Sequence, residues 1–135
     1  MATFILTDAS VSVNGVDLSD HVQSVAMDTG VEAKDDTAMG DTTRSGSGGL
    51  LTWGIEVTFL QDFAAAKVDA TISGLVGSTT AVIVKHTSSA VSATNPSWTG
   101  TGLVVSYNPV SGSVGDQSMA TVSFSSSSPL VRAVS

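Results

Sequence analysis

The sequence predicts a mainly β protein: a β-sandwich or partial barrel, one flanking α-helix at about residues 63–76, and a long hairpin loop at about residues 35–50. Three observations carry this expectation. Apolar residues alternate with small or polar ones along several stretches, the period of a strand with one dry and one wet face. Only the stretch after Asp62 spaces its apolar residues like a helix. The composition joins 38 Ser and Thr and 13 Gly to a mean hydropathy of +0.30. Disordered chains are poor in apolar residues, so these small and β-branched residues belong on packed sheet surfaces.

The elements follow in chain order. Asn14-Gly15, flanked by Val11, Val13, Val16 and Leu18, predicts a tight hairpin, whose two central residues need positive φ. Ser19-Asp20-His21 reads as a turn. Residues 22–34 alternate, with Gln23, Val25, Met27, Thr29, Val31 and Ala33 on one side and Ser24, Ala26, Asp28, Gly30, Glu32 and Lys34 on the other. Residues 35–50 are polar, Gly-rich and without period, and loops this long are usually functional or disordered. Residues 52–60 alternate again, Trp53, Ile55, Val57 and Phe59 dry, Thr52, Gly54, Glu56 and Thr58 wet. Two long strands around one long loop make an extended hairpin.

Asp62 is placed to N-cap a helix that buries Ala64, Val68, Ile72, Leu75 and Val76 and stops at Gly77. Three strands follow: 81–85, then 98–107 with Leu103, Val105 and Tyr107 on one face, then 119–125 with Ala120, Val122 and Phe124 inward. Residues 88–95 and 108–116 are loops, and 126–135 form a C-terminal tail, of which 130–135 are a docking arm or frayed end. With 135 residues, a single domain spanning 1–135 is expected, with an N-terminal arm at 1–9.

Charge excludes several functions. Five Lys and Arg stand against twelve Asp and Glu, a net charge of −7. That is too few cations for a nucleic-acid groove or a polybasic membrane anchor. No Cys means no disulfide and no thiolate metal site. Residues 46–49 lack the Lys of a phosphate loop, and no Gly-x-Ser-x-Gly elbow exists. The carboxylates Asp28, Glu32, Asp35, Asp36 and Asp41 do not follow the calcium-loop pattern, and few aromatics accompany them to stack a sugar. No enzyme, cofactor or metal is expected. Charged residues make up 13% of the chain, against about 25% in ordinary soluble proteins. Much of the surface is therefore expected to be covered by partners. Met1 to Asp8 lacks the cationic start and long apolar run of a secretory leader, so a protein kept in a cytoplasm is expected.

One surface stands out. Asp28, Glu32 and Glu56 lie on the wet face of the expected hairpin among Ser24, Ala26, Gly30, Thr52, Gly54 and Thr58. The face is smooth, acidic and free of sticky groups. It is either a plain outward face or the wall of a channel that must not bind a passing polyanion.

The stretch Asp17-Leu18-Ser19-Asp20-His21-Val22, then Thr37-Ala38-Met39-Gly40-Asp41-Thr42-Thr43-Arg44, Gly49-Leu50, Trp53, Phe59-Leu60-Gln61-Asp62-Phe63-Ala64-Ala65 and Val68-Asp69 resembles the tail tube (major tail) proteins of long, non-contractile-tailed bacteriophages. The resemblance covers about residues 3–125 and implies the phage tail tube fold, shared with contractile tails and type VI secretion tubes. It implies a structural virion protein forming hexameric rings, stacked into a hollow tube that conducts DNA to the host. Ser24, Asp28, Glu32, Glu56 and Thr58 would line the lumen and repel phosphates without binding DNA. Asp35, Asp36, Met39, Asp41, Arg44, Gly48 and Gly49 would reach the adjacent subunit or ring, ordering on assembly. Implied partners are further copies of the chain and the tape-measure, terminator and distal tail proteins, with assembly in the host cytoplasm and no membrane binding. The alternatives are a capsid decoration or tail-joining protein, or a type VI secretion-like tube ring. Some relatives carry an extra immunoglobulin-like domain, for which this sequence has no room.

Overall fold

A computed structural model describes residues 5–65 and 67–134. Its strands are β1 (Ser10–Val13), β2 (Val16–Asp17), β3 (Val22–Asp35), β4 (Gly46–Leu60), β5 (Thr79–Lys85), β6 (Ser97–Ser111), β7 (Met119–Ser126) and β8 (Val131–Ala133), with a short helix α1 (Val68–Ile72) and a 3-10 turn at Ser19–His21. All pairings are antiparallel, in the order β2-β1-β5-β6-β7-β4-β3, with β8 beside β6.

The sheet curls around one core, which makes it a partial barrel. The core gathers Val11 and Val13 of β1, Val82 and Val84 of β5, Val57 and Phe59 of β4, and Val122 and Phe124 of β7, while Val25 and Met27 of β3 pack against it from the other end of the sheet. The β1–β2 hairpin turns at Asn14 (φ 53°) and Gly15 (φ 80°), as the Asn-Gly pair predicts. In β4 and β7 the alternation holds: Ile55, Val57, Phe59, Ala120, Val122 and Phe124 are all buried.

Four expectations are corrected. The loop is shorter than 35–50, because Asp35 pairs with Gly46 and Ala33 with Gly48 inside the ladder. Gly46–Gly49 therefore extends a strand, with Gly49 and Leu50 accommodated where the register shifts between Val31 and Ala33. The helix is shorter than 63–76. Val68 and Ile72, one turn apart, are buried, but the Asp62 carboxylate accepts the Ala64 N–H at 2.9 Å and closes a local turn instead of capping a helix. Packing of two residues is what holds so short a helix.

In β6 a register shift between Val104 and Ser106 changes the phase, so Val104 is buried and Val105 is 51% exposed. The buried face before it carries Gly100, where a Cβ would come within 2.8 Å of the Trp53 ring. Small residues hid that face from the apolar pattern. The C-terminal segment is not a loose tail, since β8 pairs with β6 and the Trp53 indole donates to the Ser128 carbonyl at 2.7 Å. At the N-terminus, residues 1–4 of the expected arm lie outside the described residues, and Asp8 accepts the Ser88 hydroxyl at 3.0 Å.

Candidate functional site

The wet face of the hairpin is wider than the hairpin. Cross-strand partners point to the same side of a sheet, so the register assembles it row by row. One row runs Asp28, Gly54, Ser125. The next runs Ala26, Glu56, Ser123, Ser106, and the third Ser24, Thr58, Thr121, Asn108. Four adjacent strands, β3, β4, β7 and β6, thus present one continuous polar face of mostly small residues. Leu60, Met119 and Leu103 are apolar at its margins. Behind it lies the core, with Ile55, Val57, Val122 and Phe124.

Ser24, Asp28, Glu56 and Thr58, expected on this wall, lie on this face by register, and Glu32, which falls at the register shift between Val31 and Ala33, is on their side of β3 by alternation alone. Glu32 is also bonded to Lys34, two residues along the same side, at 2.6 Å. The face therefore carries three carboxylates against one ammonium. Sequence reasoning missed Ser106, Asn108, Thr121, Ser123 and Ser125. The signal for the last three was present, since they alternate with the inward Ala120, Val122 and Phe124.

The second predicted group divides. Asp35, Gly48 and Gly49 are in the strands of the stem, while Asp36, Met39, Asp41 and Arg44 form the tip. The tip folds upon itself. Arg44 pairs with Asp35 at 2.9 Å, Thr37 donates its N–H to Asp35 at 2.9 Å, Asp41 accepts the Ala38 N–H at 2.8 Å, and Ser47 bonds Asp36. Hydrogen bonds from Thr37 lower the Asp35 pKa from its ordinary value, and those from Ser45 and Ser47 lower that of Asp36. Arg44 and Asp35, expected to seek partners on other subunits, are thus bonded within the hairpin. Met39 is fully exposed.

At the opposite end of the hairpin, His21 bridges Asp20 at 2.8 Å and Asp62 at 2.9 Å. Burial opposes the charge on the ring, but the two carboxylates prevail and raise its pKa above 6.5. Tyr107 donates to Asp69 at 2.8 Å and so ties α1 to β6. Among the described residues no group of three or more metal-ligating side chains occurs.

No protein-family model and no curated protein matches the sequence. Solved structures do. A chain of the virion of a native gene transfer agent particle matches with a TM-score of 0.74 and 14% identity, covering 93% of this chain and 95% of that one. A chain from the tail of the empty particle, determined with C6 symmetry, matches at 0.65 and 14% identity over 82% and 81%. The SPP1 tail tube matches at 0.72 and 12% identity over 95% and 77%.

The fold is the phage tail tube fold.

Hcp1 from Flavobacterium johnsoniae shares it at a TM-score of 0.58 and 16% identity, over 96% and 97%. At these identities the likeness concerns backbone architecture. In this tail tube fold, the polar face and the hairpin stem are built from this chain's own residues.

Proposed function

We propose that the protein is the subunit of hexameric rings that stack into a hollow phage tail tube, with no enzymatic activity. The observation that carries this reading is the four-strand polar face, borne by a fold also found in a tail of C6 symmetry. Six copies placing β3, β4, β7 and β6 inward surround a bore with small hydroxyl and carboxylate groups. Asp28, Glu32 and Glu56 repel DNA phosphates, and nothing on the wall grips a base. Six chains at −7 each carry −42, which keeps a polyanion moving.

The strand edges fit ring closure. β3 ends the sheet path, so one edge of a 14-residue strand has no partner among the described residues. The pairing of β5 with β6 stops at Leu103, which leaves the same side of 105–111 open. Long open edges invite pairing with another chain, and closing a ring removes them. The low proportion of charged residues fits a surface largely covered by copies of itself. Tape-measure, terminator and distal tail proteins would be the further partners, and the host cytoplasm the place of assembly.

Electron microscopy of the purified protein over a concentration series tests this. Rings or hollow tubes are expected. Dispersed particles at every concentration would favour a decoration or tail-joining protein, which forms no tube alone.

A further inference from the structure

The two ends of the molecule carry different exposed features. Strand register defines them. β4 descends from Gly46 to Leu60 and β7 returns from Met119 to Ser126, while Lys85, Ser97 and β8 lie at the end that carries the hairpin tip. Four of the five cations, Lys34, Arg44, Lys85 and Arg132, are at this tip end with the carboxylates of Glu32, Asp35, Asp36 and Asp41. Lys34 and Arg44 are paired there with Glu32 and Asp35, while Lys85 and Arg132 have no carboxylate within ion-pair distance among the described residues. The opposite end holds the β6–β7 turn, residues 112–118, with Asp116, and the β4–α1 junction, where Asp20 and Asp62 meet His21.

Beside the hairpin stem lies an open, mainly apolar groove of about 690 Å³. Val31, Leu51 and Trp53 line one side, and Trp98, Pro129 and Leu130 the other. Val31 is 49% exposed and Leu51 80%. Arg132 stacks over the Trp98 ring, 5.7 Å from its centroid, and among the described residues it has no carboxylate within ion-pair distance.

The far turn has the inverse character. Val114 is fully exposed at its apex. The Ser113 N–H bonds the Asp116 carboxylate at 3.0 Å and the Asp116 N–H bonds the Ser113 carbonyl at 2.9 Å, so the turn is braced from within. Asp116 has no cation within ion-pair distance among the described residues.

We propose that the β6–β7 turn of one copy docks in the groove of the next, with Val114 entering between Leu51 and Leu130 and Asp116 meeting Arg132. This rests on the tube reading and adds which surfaces join ring to ring. Knob and groove lie at opposite ends of one chain, so the contact is head-to-tail and repeats without closing, the geometry of a filament. Docking covers exposed apolar surface and pairs two charges that are unpaired in the single chain. Head-to-head contact would leave Asp116 and Arg132 unpaired.

The chain has no Cys, so paired cysteines report the contact. Val114→Cys combined with Ser127→Cys, on the groove wall, is expected to give a ladder of covalent multimers on mild oxidation. Each single variant should stop at dimers. Asp116→Arg and Arg132→Glu should each raise the concentration needed for tubes by about tenfold or more, and the two together should restore assembly. If Arg132→Glu melts early through loss of its stacking on Trp98, the cysteine ladder decides. Tubes that form at the wild-type concentration in both charge variants, with no ladder, overturn this contact and leave the tube reading standing. Wild-type protein that forms neither ring nor tube, together with a double-cysteine variant that gives no ladder, overturns both.

Discussion

The lower and upper halves of the β3–β4 hairpin share one pattern and meet different fates. In the lower half, Ile55, Val57 and Phe59 are 2%, 0% and 0% exposed, and Val25 and Met27 pack against them. In the upper half, every residue from Thr29 to Asp35 is exposed, and Leu50 and Leu51 are 84% and 80% exposed. The alternation runs through both. What changes is the neighbour: β7 pairs with β4 only as far as Gly54 and Ser125. Beyond that point the hairpin is a two-stranded ribbon with no layer behind it, an arrangement of marginal stability alone. An amphipathic strand that outruns its own core marks a surface that another chain completes.

The largest effects should separate those halves. Phe59→Ala is expected to lower stability by about 3–5 kcal/mol in thermal or urea unfolding, through a cavity in the centre of the core. Leu51→Ala should change the stability of the single chain by no more than about 0.5 kcal/mol while weakening assembly in micrographs. Equal losses of stability from the two substitutions would break the comparison. Replacing residues 36–45 by Asn-Gly should leave the melting curve of the monomer nearly unchanged and remove stacked tubes, with rings surviving. A lost melt would mean that the tip supports the fold.

A smaller structural effect is expected from Asp28→Lys with Glu56→Lys. Both residues are exposed, so fold and ring formation should persist, while particles carrying the variant should fail to deliver DNA. Loss of folding would show instead that this face is buried.

The mildest prediction concerns His21, at the foot of the hairpin. Its raised pKa means that its contribution is complete below 6.5 and fades as pH rises through the higher folded value. Asp20 and Asp62 are lowered from 3.8, Asp20 chiefly by its hydrogen bond to His21 and Asp62 by the Ala64 N–H and then by His21. Their contribution is present above 3.8 and lost as pH falls through the lower folded values. The melting-temperature gap between wild type and His21→Gln should therefore be widest between about pH 4 and 6.5 and narrow above. A gap independent of pH would remove the ionic bridge as its cause.

Much of this was legible because the strand period is local. Alternation in 22–34, 52–60 and 119–125 reports which side chains share a face, and Asn14-Gly15 specifies its turn by backbone sterics alone. The misreadings have physical causes. Gly46 to Gly49 looked like loop because strand pairing of glycines comes from the partner strand, not from propensity. The helix looked longer because Asp62 spends its carboxylate on a local turn. Leu103, Val105 and Tyr107 do not share the one face that alternation gives them, because a shift in register reverses the phase without a trace in composition.

The sequence by itself determined the faces of the strands, the acidity of the wet one and the poverty of charge that points to self-association, since each follows from residue type and period. Only the tertiary structure decided which strands lie side by side. Long-range pairing brought Thr121, Ser123 and Ser125 beside Glu56, and Ser106 and Asn108 beyond them. It ended the pairing of β7 with β4 at Gly54 and left the upper hairpin bare. It also set Trp98, Arg132 and Leu130 across from Val31 and Leu51. Such contacts join residues dozens of positions apart, and their partners are chosen by packing around a shared core, which no local pattern encodes.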